Sequence, residues 1–298
     1  MQEQEARAVI SGGFVFENSR FLLASRTENG PHKKGLGNSR GQVGRYILGH
    51  GDVRICGSFD DTVINGYIGP GSAAMRIDDF NGNNFDHSGL GFIRGGTMGT
   101  SGSGMPVERV NVIPPDVPRW GRGHKEFFAR CYTRTWDINS QPETLLHRDN
   151  TIDLDPCRRD GKGLPLPRVT FSFHQNETRL HRFMGQVGER IMREAGASKV
   201  WSELPGKAPS RWAGGTRMGK DPKKSVVDEN YQVHEAPNLF IIGSSVFPTM
   251  AGYPPLATVS ALSYRAADYI IRQKDWFQWA DFGGRILDRG GIRKCLTY

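Results

Sequence analysis

The segment from Asn238 to Asp268 constrains the fold of this chain more than any other part of the sequence. It begins with a short apolar run, Leu239 to Ile242, which is typical of a strand buried on both faces of a parallel sheet. Gly243 follows and has no Cβ atom, so the chain can bend there and a bulky ligand can lie against its backbone. Ser244 and Ser245 add hydroxyl groups at the same point. We therefore predict a buried strand that ends in a polar glycine turn.

A second loop and a helix follow this turn. Pro254 and Pro255 preset the first turn of the helix. An apolar face at helical spacing indicates that the helix packs on the core, and it consists of Val259, Leu262, Ala266 and Ile270. Because a helix N-terminus presents unpaired backbone N–H groups, its place beside a glycine turn predicts a potential anion site.

The N-terminal part of the chain repeats the order of strand, glycine turn and helix. Ala8 to Ile10 end the predicted strand, Gly12 and Gly13 form the turn, and Phe21 to Leu23 lie on the helix. A dinucleotide-binding fingerprint is not clearly present. The nearest match is the GxGxxA string at residues 69–74, but the residues that follow leave no room for the helix that this motif requires. We reject that string as a nucleotide site.

The middle of the chain predicts an antiparallel layer with helices. Pro167 to His174 alternate in polarity, as a half-buried antiparallel strand does. Asn176 is the predicted cap of the next helix, and Gly196 is its predicted stop. Residues 100–124 are rich in Gly, Ser and Pro and predict a long loop over or beside the site, and an aromatic tail follows Arg272.

Four segments in collinear order resemble the glucose-methanol-choline (GMC) oxidoreductases, flavoenzymes that oxidise alcohols and sugars. Ile10 to Arg26 is similar to the second signature of the family, Gly214 to Phe240 to its Gly-Thr block and Val-Val-Asp turn, and Asn238 to Asp268 to its C-terminal signature. The middle segments, IDDFNGNNFDHSGLGFIRGG and RDNTIDLDPCRRDGKGLPLPRVTFSFHQNE, look like the substrate domain of the gluconate and fructose dehydrogenase branch. The resemblance is to the C-terminal portion of the family's architecture.

This resemblance implies a mixed α/β (α+β) fold, with a partial FAD-binding Rossmann-like domain and an antiparallel-sheet substrate domain with helices. It divides the chain into four parts. These are the C-terminal part of the FAD-binding domain (residues 1–45), the substrate domain (46–209), a return to the FAD-binding domain (210–272) and a tail (273–298).

The implied cofactor is FAD. Its site is incomplete in this chain, because the glycine-rich motif that grips the pyrophosphate and the acidic residue that holds the ribose are not clearly present. The residues that the resemblance assigns to cofactor binding are Gly12, Gly13, Asn18, Gly243, Ser244, Pro254 and Pro255.

Oxidation of a C–OH group by hydride transfer to a flavin requires removal of the hydroxyl proton, a task that suits histidine. At the two catalytic positions of the family this chain has Arg211 and Pro254. Arginine stays protonated and proline has neither a side-chain donor nor an N–H group, so neither residue can act as a general base. His87 is a further candidate that could orient a sugar hydroxyl, and a hydrogen bond to nearby backbone explains it about as well.

Two explanations of these substitutions stay open once misalignment is set aside. A shifted alignment restores no histidine, because none lies between His181 and His234. Arg211 could bind a carboxylate or stabilise an alkoxide, or catalysis could be lost. The sequence predicts an FAD-dependent oxidoreductase acting on CH–OH groups of sugars, sugar acids or other alcohols, with a non-catalytic remnant or scaffold subunit as the alternative. The expected partners are a small-molecule alcohol or sugar and either an N-terminal FAD-binding fragment or an electron-acceptor subunit.

Composition argues against several other classes of protein. The net charge of +8 comes from 39 Lys and Arg against 31 Asp and Glu, but the basic pairs are scattered in sequence, so no nucleic-acid partner is predicted. The four cysteines show no CxxC spacing, and a calcium-like pattern at Asp79 lacks its glycine and closing glutamate, so no metal site is predicted. No membrane-spanning run or signal peptide is visible, and we expect a soluble chain that is cytoplasmic by default.

Overall fold

The computed structural model describes residues 6–27, 29–30, 32–64, 75–100, 113–206 and 208–273. Within these ranges the chain forms three sheets with α-helices packed against them. The strands are β1 Val9–Ser11, β2 Arg45–His50, β3 Val53–Ser58, β4 Arg76–Ile77, β5 Gly96–Thr100, β6 Thr135–Pro142, β7 Thr151–Arg159, β8 Pro165–Thr170, β9 Lys199–Glu203, β10 Ser210–Gly215, β11 Gln232–Val233 and β12 Ala236–Ile241. The helices are α1 Phe14–Ala24, α2 Arg122–Cys131, α3 Gln175–Glu194 and α4 Leu256–Arg272, and short 3-10 turns cover Tyr132–Arg134 and Ser244–Val246.

The smallest sheet contains the two strand-turn-helix units that the sequence predicts. Its order is β1-β12-β11, with β1 parallel to β12 and β11 antiparallel to it. Leu239, Phe240 and Ile241 of β12 are each at most 1% exposed, because the sheet is covered by the main apolar core of the molecule. The predicted buried strand is therefore confirmed.

Two larger sheets are antiparallel throughout. One has the order β10-β2-β7-β8 and the other β4-β5-β6-β3-β9. Helix α3 packs on the five-stranded sheet, where Leu180 and Met184 join Val53 and Ile55 in a second apolar core. This mixture of helices with mainly antiparallel sheets agrees with the predicted fold class. The four-stranded sheet joins strands from both sides of the predicted boundary at residue 209, and the division into domains stays a prediction.

Two sequence-based details in the middle of the chain are wrong. Helix α3 begins at Gln175 and is preceded by His174, while the Asn176 side chain bonds instead to the backbone of Ile93, through its Oδ1 at 2.9 Å and its Nδ2 at 3.3 Å. The preceding strand ends at Thr170, because Phe171 leaves the ladder to pack against other aromatic rings. The predicted stop is confirmed, since α3 ends at Glu194 and Gly196 adopts a φ of +90°.

The last helix forms as the sequence predicts. Helix α4 starts directly after Pro255, Ala266 is buried, and the other apolar residues of the predicted face are partly buried against the main core. Three predicted features fall wholly or partly outside the described residues, namely the string at 69–74, about half of the loop at 100–124 and nearly all of the tail. Across the described ranges, none of the helices combines the length and the hydropathy needed to cross a membrane.

Candidate functional site

The first part of the site is a pair of turns at the carboxyl ends of two parallel strands. Ser11 of β1 lies opposite Ile241 of β12, so the turns that follow these strands meet at one edge of the sheet. Gly12 and Gly13 connect β1 to α1, and Gly243 leads into the 3-10 turn after β12. The carboxyl ends of parallel strands are where open α/β sheets bind their ligands.

The side chain of Asn18 links the two turns through hydrogen bonds. This side chain is fully buried, and its Oδ1 accepts hydrogen bonds from the Ser11 hydroxyl at 2.7 Å and from the Gly13 N–H at 2.8 Å. Its Nδ2 donates to the Ser245 hydroxyl at 2.8 Å and lies 3.3 Å from the Ile242 carbonyl. Because both ends of the amide are occupied by protein groups, Asn18 positions the two turns.

The backbone at Gly243 is open on one side. Its φ of +99° lies in the region that favours glycine, and in the described part of the chain no atom beyond its two neighbours lies within 4 Å of the position that a Cβ would take. Ser244 and Ser245 are buried directly after it, and the carbonyl of Ser245 accepts a hydrogen bond from Thr216 at 3.0 Å. Glycine is therefore required by the conformation, and the space beside it is free for a ligand.

The second part of the site surrounds Arg211 on β10. Its Nη1 donates to Oδ2 of Asp52 at 2.8 Å and to the Ser210 hydroxyl at 2.8 Å. With the side-chain oxygen of Gln141 facing Arg211, both terminal nitrogens of the guanidinium lie 2.9 Å from it. Arg211 has a φ of +51°, an uncommon conformation for a residue with a side chain, and such strain is concentrated at functional sites.

The turn between β2 and β3 brings His50 and Asp52 to the same place. His50 is fully buried, and burial lowers the pKa of its imidazole below the ordinary value. Its Nε2 lies 2.8 Å from the carbonyl oxygen of Ala251. Since a carbonyl only accepts, Nε2 carries the proton, and the free lone pair of this neutral ring is on Nδ1. His50 thereby holds the loop that leads to Pro254.

That loop also packs against β5 and β6. The Thr97 N–H donates to the Gly252 carbonyl at 3.2 Å, and a Cβ at Gly252 would lie 2.6 Å from the Cα of Gly96 and 2.9 Å from the backbone oxygen of Gln141. Only glycine fits at this close approach. Arg211 and the loop before Pro254 therefore share neighbours, the turn at 50–52 and Gln141, so the two residues predicted at catalytic positions belong to one region.

Several buried polar atoms in this region have no hydrogen-bond partner among the described residues. They are His50 Nδ1, Asp52 Oδ1, Thr97 Oγ1, Asn139 Oδ1, Ser140 Oγ and His181 Nε2. Buried polar groups are usually paired, so a group of unpaired ones requires an explanation such as a bound polar ligand or water.

His87 has different neighbours from the other predicted residues. It lies in the loop before β5, half-buried, with its ring edge-on to Phe85 at 5.6 Å between centroids. The loop reaches the Pro254 region through another residue, Asn81, whose Nδ2 donates to the Tyr253 hydroxyl at 3.2 Å. Within the described part of the chain, no contact joins His87 to Arg211, and its role stays a prediction.

Sequence reasoning missed His50, Asp52 and Gln141. The string His50-Gly51-Asp52 offers a signal, because two polar residues flank a glycine between two apolar strands. Gln141 offers none, since its place beside Arg211 depends on the pairing of β6 with β5 and β3. The assignments of Gly12, Gly13, Asn18, Gly243, Ser244, Pro254 and Pro255 to a cofactor stay predictions.

Comparison with known proteins gives the same family as the sequence motifs. Residues 147–263 match the family model described as GMC oxidoreductase. The chain is 30% identical to the gluconate 2-dehydrogenase flavoprotein of Pantoea cypripedii, over 91% of this chain and 45% of that protein. It is also 30% identical to the 2-methyl-1,2-propanediol dehydrogenase of Mycolicibacterium austroafricanum, over 91% of this chain and 49% of that protein. The chain thus spans about half the length of these relatives.

A solved structure supports the fold. A formate oxidase of Aspergillus oryzae RIB40, in which FAD modification was studied, superposes with a TM-score of 0.54 at 16% identity. The match covers 91% of this chain and 55% of the oxidase. At this level of identity the likeness extends to the fold alone.

Proposed function

The chain belongs to the GMC oxidoreductase family through its C-terminal domain, and we propose that it forms the C-terminal part of an FAD-dependent oxidoreductase. The proposed substrates carry a CH–OH group and are sugars, sugar acids or other alcohols, in keeping with the names of the gluconate and propanediol relatives. The observation that carries the proposal is the pair of turns at Gly12 and Gly243, joined by Asn18 beside an open backbone surface.

The turns fit a bound FAD. The space beside Gly243 is free, and the N-terminus of α1 begins at the neighbouring turn, where backbone N–H groups can face an anionic group. Gly12, Gly13, Gly243, Ser244, Pro254 and Pro255 would form the cofactor-facing wall, and Asn18 would hold it in shape. When bound, FAD supplies the acceptor for the hydride that leaves the substrate carbon.

The residues around Arg211 would bind and orient the substrate. The guanidinium and the Gln141 amide offer hydrogen-bond donors for a substrate oxygen, and the positive charge favours an alkoxide or a carboxylate there. Arg211 cannot accept the hydroxyl proton, and Pro254 has no group that could. His50 is fully buried and already holds Ala251, so we assign it to positioning the loop. We therefore expect very slow turnover from this chain.

The open edge of the smallest sheet suggests a protein partner. Among the described strands, β1 pairs with β12 alone, and Ile10 on β1 is 52% exposed. Leu256 and Tyr264 on α4 are 73% and 78% exposed. An exposed edge strand, together with exposed apolar side chains on the helix that packs on the same sheet, favours a further polypeptide on this part of the molecule. We propose an N-terminal FAD-binding segment, supplied by the same protein or by a second subunit, with an electron-acceptor subunit as the other proposed partner.

A non-catalytic scaffold is the second candidate function. It is favoured by the ion pair between Arg211 and Asp52, which engages the side chain at the first predicted catalytic position with a group of the protein itself. Under this alternative the wall would bind FAD or a partner, and no substrate would be oxidised.

Co-expression with an N-terminal half tests the proposal. The N-terminal half of the gluconate 2-dehydrogenase relative is a suitable partner, and flavin absorbance would be measured for each half alone and for the complex. We expect FAD in the complex and slow bleaching of the flavin by gluconate or another polyol under anaerobic conditions. Absence of flavin from every combination would reject the proposal, whereas flavin that no substrate bleaches would favour the scaffold.

A further inference from the structure

A cluster of metal-ligating side chains lies at the start of α3. It consists of His147, Asp149 and His174, and one ligand atom from each lies within 4.8 Å of the other two. His147 and Asp149 precede β7, whereas His174 precedes α3. The fold therefore joins two segments about 25 residues apart, a spacing that resembles none of the compact zinc motifs of a sequence.

A buried carboxylate orients the first histidine. Glu177 is fully buried, and both of its carboxylate oxygens lie 3.2 Å from Nε2 of His147. The same carboxylate accepts hydrogen bonds from the backbone N–H groups of Leu145 and His174, each at 3.0 Å. With Nε2 facing a carboxylate, His147 has Nδ1 available for another partner. A histidine that donates to a carboxylate through one nitrogen and ligates through the other is the usual arrangement at protein metal sites.

The second histidine has an unsatisfied nitrogen beside a carboxylate. Nε2 of His174 lies 3.3 Å from Oδ1 of Asp149, yet it is buried and makes no hydrogen bond of acceptable geometry. The Asp149 side chain is 68% exposed, so it can move toward an ion, and solvent can reach the cluster from its side. The cluster thus combines two imidazoles with a mobile carboxylate.

The two imidazole rings lie face to face. They are stacked at 3.6 Å between centroids with planes 1° apart. A metal ion binds an imidazole nitrogen in the plane of the ring, so two parallel rings bring the ligand atoms near each other without yet pointing them at one ion. Ligation requires a turn of the ring planes toward a common point, and the partial exposure of both side chains leaves room for it.

We propose that His147, Asp149 and His174 form a site for one divalent transition-metal ion such as Zn²⁺, with Glu177 as the carboxylate that orients His147. Two imidazoles and one carboxylate suit Zn²⁺, Co²⁺ or Ni²⁺ better than Mg²⁺ or Ca²⁺, which prefer oxygen ligands. The fourth position faces solvent and would hold water. This proposal is independent of the cofactor and the reaction proposed above.

The ion would also stiffen the segment that supports the last loop. Thr144 lies three residues before His147, donates to the Gly49 carbonyl at 2.6 Å and forms a bridge with Met250. An ion that ties His147 to the start of α3 therefore fixes a segment in contact with both the 50–52 turn and the loop to Pro254. We expect this ion to be structural.

Titration of the untagged full chain with Co²⁺, after removal of metals with a chelator, tests the site. We expect one equivalent with the absorption of a tetrahedral or five-coordinate ion, and displacement by Zn²⁺ with a rise in melting temperature. His147→Ala and His174→Ala should each weaken binding at least 100-fold, and Glu177→Gln by about 10–100-fold.

His124→Ala is the matched control, because His124 is a partly buried histidine on α2, packed against Phe128 and outside the cluster. It should leave Co²⁺ binding unchanged. Circular dichroism would show whether each variant is folded, and His147→Gln replaces any His147→Ala protein that is not. The proposal is overturned if the wild-type chain shows no saturable binding, or if folded His147 and His174 variants bind as tightly as the His124 variant.

Discussion

The two turns joined by Asn18 and the neighbourhood of Arg211 lie near opposite ends of β10, and they are built in opposite ways. At the turns, the Asn18 amide has a protein partner for each of its hydrogen-bonding groups. Near Arg211, the buried Nδ1 of His50 and Oδ1 of Asp52 have no partner in the described protein, and Arg211 itself has a φ of +51°. The contacts of Asn18 are thus complete, whereas the Arg211 region keeps the strain and the unpaired groups of a binding surface.

The comparison shows which part of the family's machinery depends on backbone and which on side chains. Gly243 and Asn18 shape a backbone surface, and both are present with the contacts that such a surface needs. Under the proposed function, proton removal would depend on the side chains at residues 211 and 254, and arginine and proline cannot perform it. The proposal is therefore of a cofactor-facing wall with its backbone contacts in place and without a general base at these two positions.

Placing histidine at residue 211 and asparagine at residue 254 should give the largest of the expected effects, an increase in the rate of flavin reduction. In the chain completed by an N-terminal half, Arg211→His with Pro254→Asn should raise the rate of flavin reduction by about 10²–10⁴-fold, the contribution typical of a positioned general base. Histidine tolerates the positive φ of residue 211 better than most residues, and Asp52 would be placed to orient its ring. Stopped-flow absorbance under anaerobic conditions measures the rate.

Arg168→His provides the control for this substitution. Arg168 forms a paired contact with Asp153 on β7 and β8, so the change removes a comparable ion pair outside the site. It should leave the rate unchanged. Enzyme-like turnover by the unsubstituted complex would contradict the inferred loss of the base.

Removing the Asn18 side chain, which links the two turns, should destabilise the fold. Asn18→Ala leaves the Gly13 N–H and the hydroxyls of Ser11 and Ser245 without a partner, and we expect a loss of about 2–4 kcal/mol in the free energy of unfolding. Asn238→Ala is a matched control, because Asn238 is equally buried and its amide has no partner in the described protein. Urea unfolding of both variants gives the comparison. Equal losses would show that the hydrogen bonds of Asn18 contribute little.

The buried His181, which lies beside the 50–52 turn, should make the free energy of unfolding depend on pH, whereas the turns contain no such group. Burial lowers the pKa of His181 to about 4 from 6.5, although the nearby carboxylates of Glu177 and Asp52 oppose the shift. In the unfolded chain His181 therefore takes up a proton near pH 6.5, whereas in the folded chain it does so only near pH 4. The free energy of unfolding is highest above pH 6.5 and falls as the pH falls toward 4. Between about pH 7 and about pH 5 we expect a loss on the order of 2 kcal/mol.

His181→Gln should flatten that part of the stability curve, because glutamine does not titrate. His124→Gln is the control, because the contacts of His124 are with Phe128 and Pro118 on and before α2, and it should leave that part of the curve unchanged. Denaturant unfolding at several pH values measures both. An unchanged slope in the His181 variant would show that another group causes the pH dependence.

Much of the scaffold could be predicted because its signals are local. The apolar run before Gly243, the two prolines before α4 and its apolar face all depend on neighbouring residues, and β12 and α4 formed as expected. The cap of α3 was wrong by two residues, because Asn176 is occupied by the backbone of Ile93 across the fold. Helix boundaries of this kind depend on contacts between residues far apart in the sequence, which a short stretch of sequence does not reveal.

The Arg211 region was harder to predict for the same reason. Substitution at the family positions is visible in the sequence, but the partners of Arg211 are not. Asp52 and Gln141 reach it only because β2 pairs with β10 while β6 pairs with β3. The cluster of His147 and His174 likewise requires the position of β7 relative to α3. The residues that meet at Arg211 are therefore set by long-range strand pairing, whereas the residues of the cofactor-facing wall can be predicted from local sequence pattern.

The most direct test of the account is the affinity of the completed chain for FAD after Gly243→Ala, compared with Gly163→Ala. Both glycines have positive φ, +99° and +82°, and among the described residues neither has a non-neighbouring atom within 4 Å of the Cβ position, so both changes strain the backbone without a steric clash. Gly163 lies in the turn between β7 and β8, away from the wall. We predict that Gly243→Ala weakens FAD binding at least tenfold while Gly163→Ala leaves it unchanged. Equal affinities for the two folded variants would contradict the placement of FAD against the Gly243 turn.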